Sequence, residues 1–210
     1  MSYYSEKMYI PKDENKEKNV YYQRFFSDVN GKILDVGCST GNFVALDKEN
    51  IIGIDNDKDA IKIAKKRGLN CILMDIDGKK LNFKDNFFAG INAHYIIEHL
   101  ENPLKTVKEF YRILSPNGKL VILVPDAKKI GYLFWDDYTH KRPYTKESLK
   151  RLLFDAGFKN FKIFYEYKWF RGLSWSVRKG IISPKNAIRI LKFLLKIGIT
   201  HKGIFAECRK

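Results

Sequence analysis

The segment 32–43, KILDVGCSTGNF, decides how the chain is built. Ile33, Leu34 and Val36 form a short aliphatic run of the kind that makes a buried strand, and that run carries an acid, Asp35. Gly37 and Gly41 follow at once. Two glycines let a backbone turn tightly and let a ligand approach without a side chain in the way, so a strand that ends in this loop reads as one wall of a binding crevice.

Working outward, short aliphatic runs alternate with helical patterns. NIIGID, NCILMD, FFAGINA and GKLVILVP read as strands. GNFVALDK reads as a short helix opening near Gly41, and KDAIKIAKKR, NPLKTVKEFYRIL and TKESLKRLLFDAGF read as further helices. Thr145 stands as an N-cap three residues ahead of Ser148, and Gly157 marks that helix's end. KNFKIFYEYKWF and the final GIFAECRK read as two more strands. Upstream, Val20, Tyr21, Arg24 and Phe25 have helical spacing, and their aromatic face requires something to cover. Strand and helix in turn imply parallel strands joined by right-handed crossovers, hence an α/β, doubly wound, mainly parallel sheet with helices on both faces.

The loop's chemistry narrows the ligand. A dinucleotide fingerprint would read G-x-G-x-x-G with a helix N-terminus aimed at a pyrophosphate. Here the loop reads D-x-G-x-x-x-G, and a carboxylate at its head repels phosphate but suits a cation. A ligand with an ammonium group and no phosphate fits, and S-adenosylmethionine is such a ligand. Asp55, at the end of IIGID, has the place of an acid that accepts both ribose hydroxyls of an adenosine. Asp75, in LMDID, is placed to accept the adenine amino group, with Ile76 packing on the ring. Each acid alone reads more simply as a loop or capping residue; three at successive strand ends read as a site.

Residues 31–126 resemble the class I S-adenosylmethionine-dependent methyltransferases, in the subgroup of small-molecule and quinone methyltransferases. The resemblance rests on ILDVGCSTGNF, IIGIDND, LMDID, the E-H-L at Glu98, His99 and Leu100, and the R-x-L-x-P-x-G at Arg112, Leu114, Pro116 and Gly118. It implies that Gly37 and Gly41 shape the loop under the methionine portion while Asp35 organises it, that Asp55 holds the ribose and Asp75 the adenine, and that Cys38, Ser39, Asn56, Ile76 and Ala93 complete the cofactor site. It also implies a Rossmann-like seven-stranded sheet whose antiparallel last strand lies between the fifth and sixth. Ser39 stands where many relatives have a third glycine, and Ala89 where an Asp often follows the Phe.

Methyl transfer from a sulfonium is an in-line displacement on an activated carbon, so a general base is needed only where the acceptor must lose a proton. His140, His99 and His94 are the candidates. His140 lies in the polar, aromatic WDDYTHKRPYT, and His94 and His99 follow the fourth strand, where Glu98 also lies; Asp136, Asp137 and Tyr144 stand near His140. NAHY replaces the N/D-P-P-Y/F that accompanies methylation of exocyclic base amines. No Cys lies between Cys71 and Cys208 to serve a pyrimidine C5 mechanism.

Composition sets the remaining limits. At 210 residues and 45% hydrophobic, the chain supports one core. The expectation is one domain over 1–210: a helical cover at 1–30, a cofactor-binding core at 31–167, an insertion at 168–202 and the final strand at 203–210. Three scattered cysteines form no C-x-x-C and support neither a disulfide framework nor zinc, so no metal is expected. No signal-like or membrane-spanning apolar stretch occurs, which gives a cytoplasmic expectation with membrane-peripheral contact as an addition.

The net charge of +15 is unevenly spread: residues 1–140 hold 21 Lys+Arg and 20 Asp+Glu, residues 141–210 hold 18 and 4. The 168–202 insertion has 9 Lys+Arg and no acid. Within it, Ser183 and Pro184 start a helix on which Lys185, Arg189, Lys192 and Lys196 form one stripe and aliphatic residues the rest, with Trp169, Phe170 and Trp175 upstream as amphipathic anchors. A core-packed lid helix has the same pattern. The expected partners are a small-molecule or lipid-like acceptor and an anionic membrane surface, with nucleic acid behind them. The competing functions are an RNA methyltransferase working through the basic third and a non-catalytic protein that retains the cofactor pocket.

Overall fold

The computed structural model describes residues 14–165, 179–183, 186, 189–190 and 203–210. Helix α1 (Glu14–Phe26) precedes strand β1 (Ile33–Val36), a single 3-10 turn (Val44–Leu46), β2 (Ile51–Asp55), α2 (Lys58–Lys66) and β3 (Cys71–Leu73). Strand β4 (Phe88–His94) runs into a second 3-10 turn (Ile97–His99), then α3 (Pro103–Ile113) and β5 (Leu114–Pro125). Helix α4 (Ala127–Ile130), a 3-10 stretch (Gly131–Asp136), α5 (Lys146–Asp155), β6 (Asn160–Tyr165) and β7 (Gly203–Arg209) complete the order.

The seven strands form one sheet in the order β3-β2-β1-β4-β5-β7-β6. The first five are parallel, and β7 runs antiparallel to both of its neighbours. The doubly wound fold and the place of the last strand therefore stand as expected.

Alternation along the central strands assigns the two cores. Leu120, Ile122 and Val124 of β5 pack with Val107 and Phe110 of α3 and Leu149 and Leu153 of α5. Val121 and Leu123 face the other way, against Phe25 of α1 and Ile61 and Ala64 of α2. A strand covered on both faces is apolar at every position, which is why LVILV shows no period of two. Helix α1 covers the second face as its aromatic stripe requires. Phe25 and Phe26 are buried, and Lys119 of β5, itself buried, ties down the helix end by donating to the Phe25 carbonyl (2.8 Å) and to Asp28 (2.5 Å).

The helix starts are built from local acids and hydroxyls. Asp57 caps α2 by accepting from the Asp59 and Ala60 amides, and Thr145 and Ser148 form a reciprocal capping box on α5. The R-x-L-x-P-x-G acquires a structural meaning. Arg112 donates to the Leu81 and Phe83 carbonyls and pairs with Glu109 and Asp85, clamping the loop that leads into β4. Asn117 takes the turn at φ +61°, and a Cβ at Gly118 would lie 2.8 Å from the Ser115 carbonyl oxygen.

GNFVALDK departs from expectation. It makes one 3-10 turn and no α-helix, because Asp47 turns its carboxylate onto the Asn50 amide and side chain and leads the chain directly into β2. Most of the basic insertion, including Trp169, Phe170, Trp175, Pro184, Lys185, Lys192 and Lys196, lies outside the described residues. The expected cap on its helix is present, since the Asn186 amide donates to Ser183 Oγ at 3.3 Å, and Arg189 and Ile190 are exposed. Among the described residues, no helix is long and apolar enough to cross a membrane.

Candidate functional site

The carboxyl ends of β1, β2 and β4 converge on the glycine loop. The Gly37 and Cys38 amides both donate to the Ile54 carbonyl at the end of β2, which folds the chain sharply after Val36. Gly37 takes φ +72°, and a Cβ there would overlap Ile96 Cδ1 and lie 2.8 Å from its Cγ1. Gly41, at φ +82°, would put a Cβ 2.6 Å from Leu69 Cδ1. Ser39 also has a left-handed backbone, φ +49°, so the position that many relatives give to glycine has a glycine-like conformation here too. Its amide is anchored on Asp55 Oδ2 at 2.7 Å.

Asp35 is buried and accepts from Asn92 Nδ2 at 2.7 Å. Asn92 Oδ1 in turn accepts from the Tyr21 hydroxyl at 3.0 Å. This chain of bonds runs from the cover helix through β4 to the acid of β1. Burial first, and the nearby Asp35 charge second, push the Tyr21 phenol well above its usual range, so it stays a donor. Arg67 pins the far side of the loop through the Thr40 carbonyl (2.5 Å) and Asn42 (2.9 Å). Nothing in the sequence marks Asn92 or Arg67, and Tyr21 stands out there only as part of an aromatic helix face, because these roles exist only through contacts between distant segments.

Asp55 is half-buried and accepts from the Ser39 and Asp57 amides, one on each oxygen; each oxygen retains acceptor capacity for a hydroxyl. Asn56 is exposed next to it. Asp75 is exposed and bonded to Lys79 at 2.6 Å, which holds its carboxyl below the ordinary range. Ile76 packs into the main core, and Ala93 is fully buried in β4. The Cys38 thiol turns inward over Gly53 toward Cys71, leaving only its backbone on the loop's open side. A cradle that a Cβ would fill, beside an acid with free acceptor sites and no phosphate-binding cation on the loop, fits S-adenosylmethionine.

The three histidines separate. His94 is boxed by aromatic rings, with Tyr21 at 4.2 Å and Phe205 at 5.8 Å between centroids. His99 and His140 come together at 4.8 Å, brought there by the Lys141 and Arg142 amides donating to the Glu98 carbonyl. Asp137 and Thr139 join them: Thr139 Oγ1 donates to Asp137 (2.6 Å) and lies 2.9 Å from His99 Nδ1. Asp136 is exposed at the end of the 3-10 stretch, and Tyr144 is buried with its hydroxyl 3.5 Å from the Ile97 carbonyl. Glu98 is fully buried, and burial pushes its carboxyl up to about 8. An open groove of about 620 Å³ between α3 and α5, lined by Leu104, Arg142 and Leu152 among others, shares none of the expected site residues apart from the flanking Tyr144.

A methyltransferase-domain family model matches residues 14–163, most of the chain and all of the site just described. The chain belongs to the class I S-adenosylmethionine-dependent methyltransferases. S-adenosylmethionine is accordingly the methyltransferase's cofactor. A crystal structure of an S-adenosylmethionine-dependent methyltransferase from Archaeoglobus fulgidus superposes over 100% of both chains with a TM-score of 0.74 at 25% identity. An uncharacterized protein of Methanocaldococcus jannaschii is 32% identical over 140 residues, which is 63% of this methyltransferase and 66% of that protein. A ubiquinone/menaquinone biosynthesis C-methyltransferase of Desulfotalea psychrophila is 32% identical over 117 residues, 51% of this chain and 48% of that one. The methyltransferase thus spans 66% of the first relative's length and 48% of the second's.

Proposed function

We propose that the chain transfers the methyl group of S-adenosylmethionine to a small, largely apolar acceptor of quinone or lipid type, met at a membrane surface. The observation that carries this reading is the segment after β5. There Tyr132 and Tyr138 are each 94% exposed, Leu133 66% and Trp135 56%, all within a few residues of His140. Large side chains held out in water next to an expected acceptor site suit an interface where one end is apolar and the other wet. Lys128 and Lys129, in the same stretch, add the charge that anionic headgroups attract. The quinone methyltransferase among the relatives supports the acceptor class.

In this reading the Gly37–Gly41 loop, with Cys38 and Ser39 contributing backbone, carries the methionine part, Asp35 fixing the loop through Asn92. Asp55 and Asn56 hold the ribose, and Asp75, Ile76 and Ala93 surround the adenine. When bound, the cofactor supplies an electrophilic methyl on a positively charged sulfur. The protein's own work is to orient the acceptor in line with it, exclude water and provide a proton acceptor where the acceptor needs one, with His140 and His99 in that place and His94 as an aromatic-packed wall. The helical cover and the 168–202 insertion are proposed as parts of the same domain, the insertion helping to form the acceptor site.

Sedimentation with liposomes tests the surface, and radiolabelled methyl transfer to an isoprenoid hydroquinone pool tests the acceptor. Binding that requires anionic lipid and is lost in a Tyr132→Ser, Leu133→Ser, Trp135→Ser triple variant is the expected result. Salt-dependent tRNA binding without liposome binding overturns it in favour of an RNA acceptor, and cofactor binding without turnover on any acceptor pool in favour of a binding protein. Calorimetric titration with S-adenosylmethionine, repeated on Asp55→Ala, checks the cofactor residues separately.

A further inference from the structure

The geometry points to a divalent transition-metal site of the zinc class formed by Glu98, His99 and His140. One ligand atom from each of the three lies within 4.8 Å of the other two. The hydrogen bonds around them settle which atoms are free. His140 Nδ1 is 2.6 Å from the Phe134 carbonyl, and a carbonyl only accepts, so Nδ1 carries a proton and, in the neutral ring, Nε2 keeps its lone pair. The Thr139 hydroxyl spends its one proton on Asp137, so at 2.9 Å it accepts from His99 Nδ1–H, leaving the His99 Nε2 lone pair free as well. A ring nitrogen fixed by a backbone carbonyl or by a hydroxyl held on a carboxylate is the arrangement that orients ligating imidazoles.

Glu98 gives the independent observation. Its side chain is fully buried, and neither of its oxygens has a hydrogen-bond partner among the described residues. A buried carboxyl without a partner is costly as the anion, so it either keeps its proton or meets a cation, and a bound ion would take that proton's place. Two imidazoles and one carboxylate are the donor set of open, three-ligand zinc sites and of non-haem iron sites. Asp137, whose Oδ2 is 3.9 Å from His140 Nε2, lies beside the cluster. Ligands about 2.1 Å from one ion lie roughly 3.4 Å apart, so modest side-chain rotations close the site.

This site differs from the expectation drawn from the cysteines, none of which contributes. Its place at the carboxyl end of β4, toward the acceptor, rests on the cofactor reading above; binding of the ion does not. An ion held there would occupy both imidazole lone pairs and polarise an acceptor oxygen, so the proton-acceptor role given above to His140 and His99 belongs to the metal-free protein alone.

The test uses the full chain after treatment with a chelator. Calorimetric titration with Zn²⁺ is expected to give one equivalent at micromolar affinity or tighter, weakened at least tenfold in both His140→Ala and Glu98→Gln. Circular dichroism checks that each variant is folded, and His99→Gln replaces either one that is not. Co²⁺ is expected to bind with a spectrum free of thiolate charge-transfer bands. Absence of stoichiometric binding, affinity unchanged in the variants, or a thiolate band implicating Cys38 or Cys71 would each overturn the assignment. Cofactor titration of the same preparations is independent of these results, so a failed metal site and a failed cofactor site are told apart.

Discussion

Substituting Gly37 by alanine tests the loop where backbone and packing meet. At φ +72° an alanine pays roughly 1–2 kcal/mol for the left-handed backbone. Its methyl must also displace Ile96, whose Cγ1 would be 2.8 Å away, an overpacking cost of about 1–3 kcal/mol. Against this, the unfolded chain loses freedom when glycine is replaced, which returns about 0.4–1 kcal/mol. Taking the middle of each range, the net is a destabilisation of about 3 kcal/mol, a fall in the folding constant on the order of 100-fold. Urea unfolding followed by circular dichroism reads it directly, and calorimetry on the same samples is expected to show weakened S-adenosylmethionine binding. Adding Ile96→Ala separates the two costs. It removes the overlap and leaves the strain, so it should be about 1 kcal/mol less harmful in the Gly37→Ala background than alone. A Gly37→Ala midpoint within error of wild type would refute the geometry given for this loop, and a strictly additive double variant would refute the contact with Ile96.

Three further outcomes follow from contacts elsewhere. Tyr21→Phe removes the hydroxyl that donates to Asn92 Oδ1 and should cost about 1–2 kcal/mol in urea unfolding, with a lower cofactor affinity through the link to Asp35. Arg112→Met strips the Leu81 and Phe83 carbonyls and Glu109 of their donor at once, and a loss of about 2–4 kcal/mol is expected by the same assay. Hydrogen bonding to Arg112 holds the folded Glu109 carboxyl below its usual range, so its contribution is present above the unfolded value of about 4.3 and is lost as pH falls further, through the folded value. The urea midpoint should therefore drop on acidification below that range, and less steeply in Glu109→Gln.

The strands were legible because their physics is local. Leu120 to Val124 are apolar at every position, as a strand covered on both faces must be, Ile33 to Val36 are apolar but for Asp35, and Asp57, Thr145 and Gly157 mark helix ends by side chain and backbone preference alone. The place of β7 came from family resemblance, since no periodicity orders an antiparallel strand within a sheet. The failed helix after Gly41 turned on Asp47, whose carboxylate outcompetes helical bonding in a way its spacing does not announce. In the site, Asp35 and the two glycines stood out by type, whereas Asn92 passed as one polar residue in an apolar strand. His99 and His140 stand 41 positions apart in the chain, and the bonds from Lys141 and Arg142 to the Glu98 carbonyl make them neighbours.

The placement of β7 also dictates an order of events during synthesis. It is the last of the seven strands to be made, yet it fills the gap between β5 and β6, pairing from Lys119 to Pro125 on one side and from Asn160 to Tyr165 on the other. Until residues 203–209 emerge, β5 presents an unpaired apolar edge, and β6 has no neighbour to dock on. A nascent chain halted anywhere in 166–202 would thus carry a finished glycine loop beside an open sheet, a state in which chaperone capture and edge-to-edge aggregation compete for the same strand.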